Sequence, residues 1–231
     1  MVQSYSIILW RKPVGLSHEE AVSMTENTFK CLDEYNPDLL PRYLTAWSKK
    51  KAKLFDRSRE SIESLFRKEQ VRANWPETET GYICTMFSSM DDSRSLGASF
   101  LWGMKYASGK DSVILNFPVR FPDEYYEATS FKKLFCDLVE CIRPHYAFVQ
   151  NGQNNQISNR LWVEKPTFVH WMNYYSKELL PDVKIQKVRN CTEVQETENG
   201  SFVFLLAEPL DVLREDHLHK QRTVSKLMGL L

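Results

Sequence analysis

Residues 82–118 read YICTMFSSMDDSRSLGASFLWGMKYASGKDSVILNFP, and this stretch decides the fold. It holds three runs rich in β-branched and aromatic residues: Tyr82 to Ser88, Ser95 to Met104 and Ser112 to Phe117. Such runs read as strands when turn residues bound them. The links here, Met90-Asp91-Asp92-Ser93 and Tyr106-Ala107-Ser108-Gly109-Lys110, have turn chemistry. A parallel crossover needs a dozen or more residues, so links this short imply an antiparallel meander.

Upstream, Tyr5 to Trp10 reads as a first strand, bounded by Arg11-Lys12-Pro13. Ser17 is a good helix N-cap, with Glu19 and Glu20 where the helix dipole favours acids. Ala21, Thr25, Thr28, Phe29 and Leu32 recur at three and four, so a helix is expected from Ser17 to Tyr35, stopped by Asn36-Pro37. Tyr43 to Trp47 reads as a short strand or turn, and Ser58 to Val71 as a second helix.

Downstream, Pro118 to Pro122 breaks the sheet, and Ser130 to Ile142 carries a one-sided apolar stripe that predicts a helix. Tyr146 to Gln150 reads as a strand, Asn151 to Asn159 as a polar loop, and the aromatic run Thr167 to Tyr175 as a short helix. Val183 to Val188, Cys191 to Glu196 and Ser201 to Leu206 read as extended. Asn199-Gly200 joins the last two with the strongest hairpin signal in the chain. A closing helix is expected from Asp211 to Met228. The sum is an α+β single domain over residues 1–231, a largely antiparallel sheet flanked by helices. Trp102 and Trp171 lie in its most apolar segments and are expected in the core.

The composition is that of a globular protein: 42% hydrophobic, 26% charged, and 30 basic against 30 acidic residues. Zero net charge gives no global attraction to nucleic acid or to an anionic membrane. The five cysteines are odd in number and scattered without a C-x-x-C pair, so reduced thiols in the cytoplasm are expected. The first residues lack the pattern of a signal peptide. Two glycosylation sequons, at Asn190 and Asn199, stand without other signs of secretion.

Catalytic spacing is missing. There is no serine elbow, no phosphate-binding loop and no dinucleotide fingerprint. His217 and His219 lie two apart on a helix, point apart, and read as solvent-facing. His145 and His170 read as core or cap residues. Cys141 and His145 are four apart, but Pro144 interrupts the helix that would align a nucleophile with its base. Asp182-Val183-Lys184 has the acid-x-lysine look of a metal-dependent nuclease but no second acid in register. No metal and no cofactor are expected. Lys49, Lys50, Lys51 and Lys53, beside Trp47 and Phe55, read as a solvated basic face. The acidic clusters are more numerous. Glu77 with Glu79, Asp91 with Asp92, and Asp123 with Glu124 fall in loops beside strands and are the candidate partner-binding residues. An acidic surface suits a basic partner.

Several segments together resemble the immunity protein 52 family of bacterial polymorphic toxin systems. They are Leu44 to Trp47 with the basic run behind it, Val113 to Pro118, Phe168-Val169-His170-Trp171-Met172-Asn173-Tyr174-Tyr175, Gly200-Ser201-Phe202-Val203, and the closing helix. The family pattern often has an aromatic residue before the proline of Arg143-Pro144-His145-Tyr146, and this chain departs from it there. The resemblance implies a non-catalytic cytoplasmic protein that binds and neutralises a cognate toxin. The usual toxin is a nuclease of the restriction-endonuclease fold, often delivered by a type VI secretion system. Two other classes stay open: an enzyme with a site assembled from distant residues, and an unrelated cytosolic interaction protein.

Overall fold

A computed structural model describes residues 4–46, 48–72, 81–104, 110–118, 127–153 and 166–231, with the backbone alone for 69–72. Among the described residues ten strands form one sheet: β1 (Tyr5–Arg11), β2 (Tyr43–Leu44), β3 (Lys53–Leu54), β4 (Tyr82–Phe87), β5 (Gly97–Trp102), β6 (Asp111–Asn116), β7 (Tyr146–Asn151), β8 (Met172–Ser176), β9 (Glu193–Thr197) and β10 (Gly200–Phe204). Their spatial order is β3-β2-β4-β5-β6-β1-β7-β8-β10-β9. Every pairing is antiparallel. The helices are α1 (His18–Tyr35), α2 (Arg59–Arg72), α3 (Ala128–Ile142) and α4 (Glu215–Leu227). The α+β single-domain fold expected from the sequence is the fold observed, and β4-β5-β6 is the expected meander. No helix among the described residues is long and apolar enough to cross a membrane.

Strand periodicity sorts the two faces of the sheet. In β1, Ile7 and Leu9 sit opposite Leu115 and Val113 of β6, which in turn sit opposite Ala98 and Phe100 of β5. All six are buried. On this face lie α1 and α3. Phe29 of α1 meets Phe100 edge-on at 5.7 Å, and the Trp102 indole donates to Thr25 of α1 at 3.0 Å. Phe131 and Phe135 of α3 reach Trp171 and Phe202. On the other face Trp10, Tyr146, Phe148 and His170 form a chain of rings, with Phe148 stacked on His170 at 4.3 Å.

The cap of α1 is a full capping box: Ser17 accepts from the Glu20 N–H while Glu20 accepts from the Ser17 N–H. Two donors that a helix start leaves unpaired are thereby satisfied. At the other end of the chain, α4 holds the segment before β8. Ser225 accepts from the Val169 N–H at 3.0 Å, and Gln221 donates to the Val169 carbonyl at 2.7 Å.

Three expectations are corrected. Thr167 to Tyr175 does not form a helix: its second half is β8, a strand in the sheet interior. Met172 to Tyr175 are all buried, because both faces of the sheet are covered there. A strand buried on both faces has no alternation to read. Val183 to Val188 is not extended either. Two 3₁₀ turns, Leu180–Asp182 and Ile185–Val188, occupy this region, and Ile185 and Val188 reach the core by a spacing of three. His217 does not face solvent. It is 2% exposed, its Nδ1 accepts from the Asp211 N–H at 3.0 Å, and its Nε2 faces Glu208 at 3.1 Å. His219 is exposed as expected.

His170 carries a consequence for acid stability. It is buried, its Nδ1 has no hydrogen-bond partner among the described residues, and burial pushes its pKa down to about 3. The unfolded chain would protonate it near 6.5. Between these values the unfolded state binds the extra proton, so this histidine removes stability as pH falls from about 6.5 toward 3, by roughly 1.4 kcal/mol per unit. His170→Phe keeps a ring against Phe148 and removes the titration. Its urea midpoint should fall less than that of the wild type between pH 6.5 and 4.5. Parallel curves would show that His170 does not titrate with unfolding.

Candidate partner-binding surface

Of the three acidic loops, Glu77 with Glu79 and Asp123 with Glu124 lie outside the described residues. Asp91 and Asp92 sit in the β4–β5 connection, and the structure gives them different jobs. Ser88 and Ser95 close the base of the loop: the Leu96 N–H donates to Ser88 Oγ at 2.9 Å and the Ser89 N–H to Ser95 Oγ at 3.3 Å. Asp91 then caps the short 3₁₀ turn Asp92–Arg94. Its Oδ1 accepts from both the N–H and the hydroxyl of Ser93, at 2.9 and 2.7 Å. These two donations hold the Asp91 carboxyl below the usual carboxylate range.

Asp92 projects outward, with its side chain 89% exposed. Lys49 reaches it from the turn between β2 and β3, with Nζ 2.5 Å from Oδ1. The same ammonium donates to the Ser89 and Met90 carbonyls at 3.2 Å each, and lies 4.9 Å from the Phe87 ring centroid. The basic run and the acidic loop, read separately in the sequence, therefore form one knuckle. Lys49 braces the loop and shares the charge of Asp92. Met90, 43% exposed, shows to solvent on the knuckle together with Asp91, Asp92 and Arg94. Lys50, Lys51 and Lys53 stay on the surface as expected.

A second polar feature was not read from the sequence. A cleft of about 360 Å³ opens where β1, α3 and β8 end, and its lining includes Arg11, Lys12, Arg143, His145, Ser176 and Glu178. Arg143 closes α3 in the left-handed region, φ 50°, with its N–H on the Val139 carbonyl. The β7–β8 pairing brings His145 beside Ser176: the Ser176 hydroxyl lies 3.1 Å from His145 Nδ1, and the Ser176 N–H donates to the His145 carbonyl. Glu178 lies 3.6 Å from that same Nδ1 and binds Lys12 at 2.5 Å. Burial, with Lys12 nearby, lowers the His145 pKa against the opposing pull of Glu178, so the ring is neutral near pH 7.

Serine, histidine and carboxylate meet here, but not as a proton relay. A relay places the nucleophile on one ring nitrogen and the orienting acid on the other. In this cleft both approach Nδ1. Cys141, weighed with His145 in the sequence, has its Sγ against Cys31 Sγ at 3.8 Å. Among the described residues no three His, Cys, Asp or Glu side chains are grouped to hold a metal ion. Asp182 ends its 3₁₀ turn.

No family model matches the chain, and no curated protein matches it, so the resemblance to the immunity family rests on the sequence segments alone. Among solved structures it is similar to the Pseudomonas aeruginosa T6SS protein PA0821. The TM-score is 0.63 at 10% sequence identity, over 98% of this chain and 73% of that one. At that identity the likeness is one of fold.

Proposed function

We propose that this protein is a non-catalytic immunity protein that binds and neutralises a cognate toxin, a nuclease of the restriction-endonuclease fold. The observation that carries this reading is the fold likeness, over nearly the whole chain, to a T6SS protein of P. aeruginosa. The segments that resemble the immunity family support it. A nuclease must hold phosphates, so its active site is electropositive. An acidic surface over that site excludes the substrate and steers the encounter.

The β4–β5 knuckle supplies part of that surface through Asp92, while Asp91 is committed to its turn. Asp92→Lys is expected to slow association by several-fold, on the order of 2–10, with a flatter dependence on salt. Asp91→Asn leaves most of the turn geometry in place and should change association less. Stopped-flow binding at low and moderate salt compares them; equal on-rates for Asp92→Lys and wild type would remove the knuckle from the interface. The reading as a whole is tested by co-expression with the toxin domain encoded by the neighbouring gene. Survival and a complex on a sizing column are expected. Cells that die as fast with the protein as without it, and no complex, would sink it.

A further inference from the structure

We propose that Cys31 and Cys141 are a peroxide-sensitive dithiol pair that closes to a disulfide and staples α1 to α3. The geometry carries this. Cys31 lies on α1 and Cys141 in the last turn of α3, and their sulfurs are 3.8 Å apart. Both thiols are free, and both side chains are only partly buried, so a small oxidant can reach them. The bond needs the sulfurs at about 2.05 Å, a further approach of roughly 1.8 Å from the observed contact. The remaining cysteines are placed differently: Cys84 is buried, and Cys136 and Cys191 have no thiol neighbour among the described residues.

The two thiols are also unequal. The contact between the two thiols lowers the pKa of Cys31, whereas the same contact and burial raise that of Cys141. Thiolate is the nucleophile, so Cys31 attacks first. Its sulfur bonds one peroxide oxygen, the O–O bond breaks, and hydroxide leaves to take a proton and become water. Cys31 is then a sulfenic acid. Cys141 Sγ attacks that sulfur, the S–O bond breaks, and the departing hydroxide leaves as water with the thiol proton of Cys141. Two thiols lose two electrons and two hydrogens, and one peroxide becomes two waters. A small cytosolic thiol reverses the bond by exchange, so in a reducing compartment it is transient.

The test uses the full chain treated with hydrogen peroxide and mapped by mass spectrometry without reduction. A peptide joining Cys31 to Cys141, the loss of two hydrogens from the intact mass, and full reversal by a thiol are expected. The staple closes a long loop, so Tm should rise by roughly 5–15 °C in the oxidised protein. Cys141→Ser should trap Cys31 as a dimedone-reactive sulfenic acid, and Cys136→Ser should leave the bond intact. Thiols that stay free, or that oxidise singly to sulfinic acid with no linked peptide, would overturn the proposal, as would a link between other cysteines. The mapping needs only the wild-type protein, and a negative result leaves the reading of partner binding untouched.

Discussion

Trp171→Ala is expected to cost roughly 3–5 kcal/mol of folding stability, the largest effect of any single truncation considered. The indole is 0% exposed. It stacks on Phe131 of α3, with centroids 5.5 Å apart and planes 14° from parallel, and meets Tyr5 of β1 at 5.3 Å. Its Nε1 donates to the Leu206 carbonyl at 3.2 Å. One side chain therefore ties the start of β8 to the first strand, to a helix and to the end of β10. Truncation empties that junction, and the surrounding rings, Phe131 on α3 and Tyr5 on β1, are held by their own elements. It also leaves the Leu206 carbonyl without its donor. Trp171→Phe keeps the stacking and loses the hydrogen bond, so about 1–2 kcal/mol is expected there. Urea unfolding followed by far-ultraviolet circular dichroism separates the two variants. A residue with no exposed surface cannot anchor a partner directly, so partner affinity should fall only as the folded fraction falls. A stable, folded Trp171→Ala that no longer binds would refute that placement.

What could be read in advance follows a physical line. The β4–β6 meander was legible because short polar links leave antiparallel pairing as the only arrangement. Ser17 was legible as a cap because N-cap preference is local chemistry. The burial of Trp102 and Trp171 followed from apolar surroundings. Met172 to Tyr175 was misread because a strand covered on both faces loses the alternation that marks strands. His217 was misread because its partners, Asp211 and Glu208, lie in the irregular segment before the helix, and helix periodicity is silent about those. The pairings Lys49 with Asp92, His145 with Ser176 and Cys31 with Cys141 were all invisible, since each depends on which strands and helices become neighbours. The candidate surface was therefore legible as separate charges, and its organisation as one braced knuckle was not.

Gly200 shows the difference between a correct reading and a complete one. Asn199-Gly200 marked a hairpin, and β9 and β10 do pair directly across it, with Gly200 opposite Thr197. Turn chemistry alone would let small residues substitute at modest cost. The packing is stricter. A Cβ at Gly200 would stand 2.2 Å from the Tyr175 carbonyl oxygen and 2.7 Å from the Tyr174 hydroxyl. The first is backbone in the adjacent strand β8, opposite which Gly200 pairs with Ser176, and it cannot swing away. The Tyr174 hydroxyl also donates to the Asn199 carbonyl at 2.8 Å, so displacing it breaks a contact of the turn itself. Gly200→Ala must therefore open the β8–β10 ladder locally, and a loss of about 3 kcal/mol is expected, at the upper end for overpacking. Gly97→Ala is the control. Its Cβ would meet the Asn116 side chain at 3.7 Å, ordinary contact, and the reduced freedom of the unfolded chain should leave stability unchanged or raised by up to about 1 kcal/mol. Comparing the two urea midpoints isolates the close approach from the general cost of losing a glycine. If both variants unfold at the wild-type midpoint, β8 and β10 do not approach as closely at Gly200 as described.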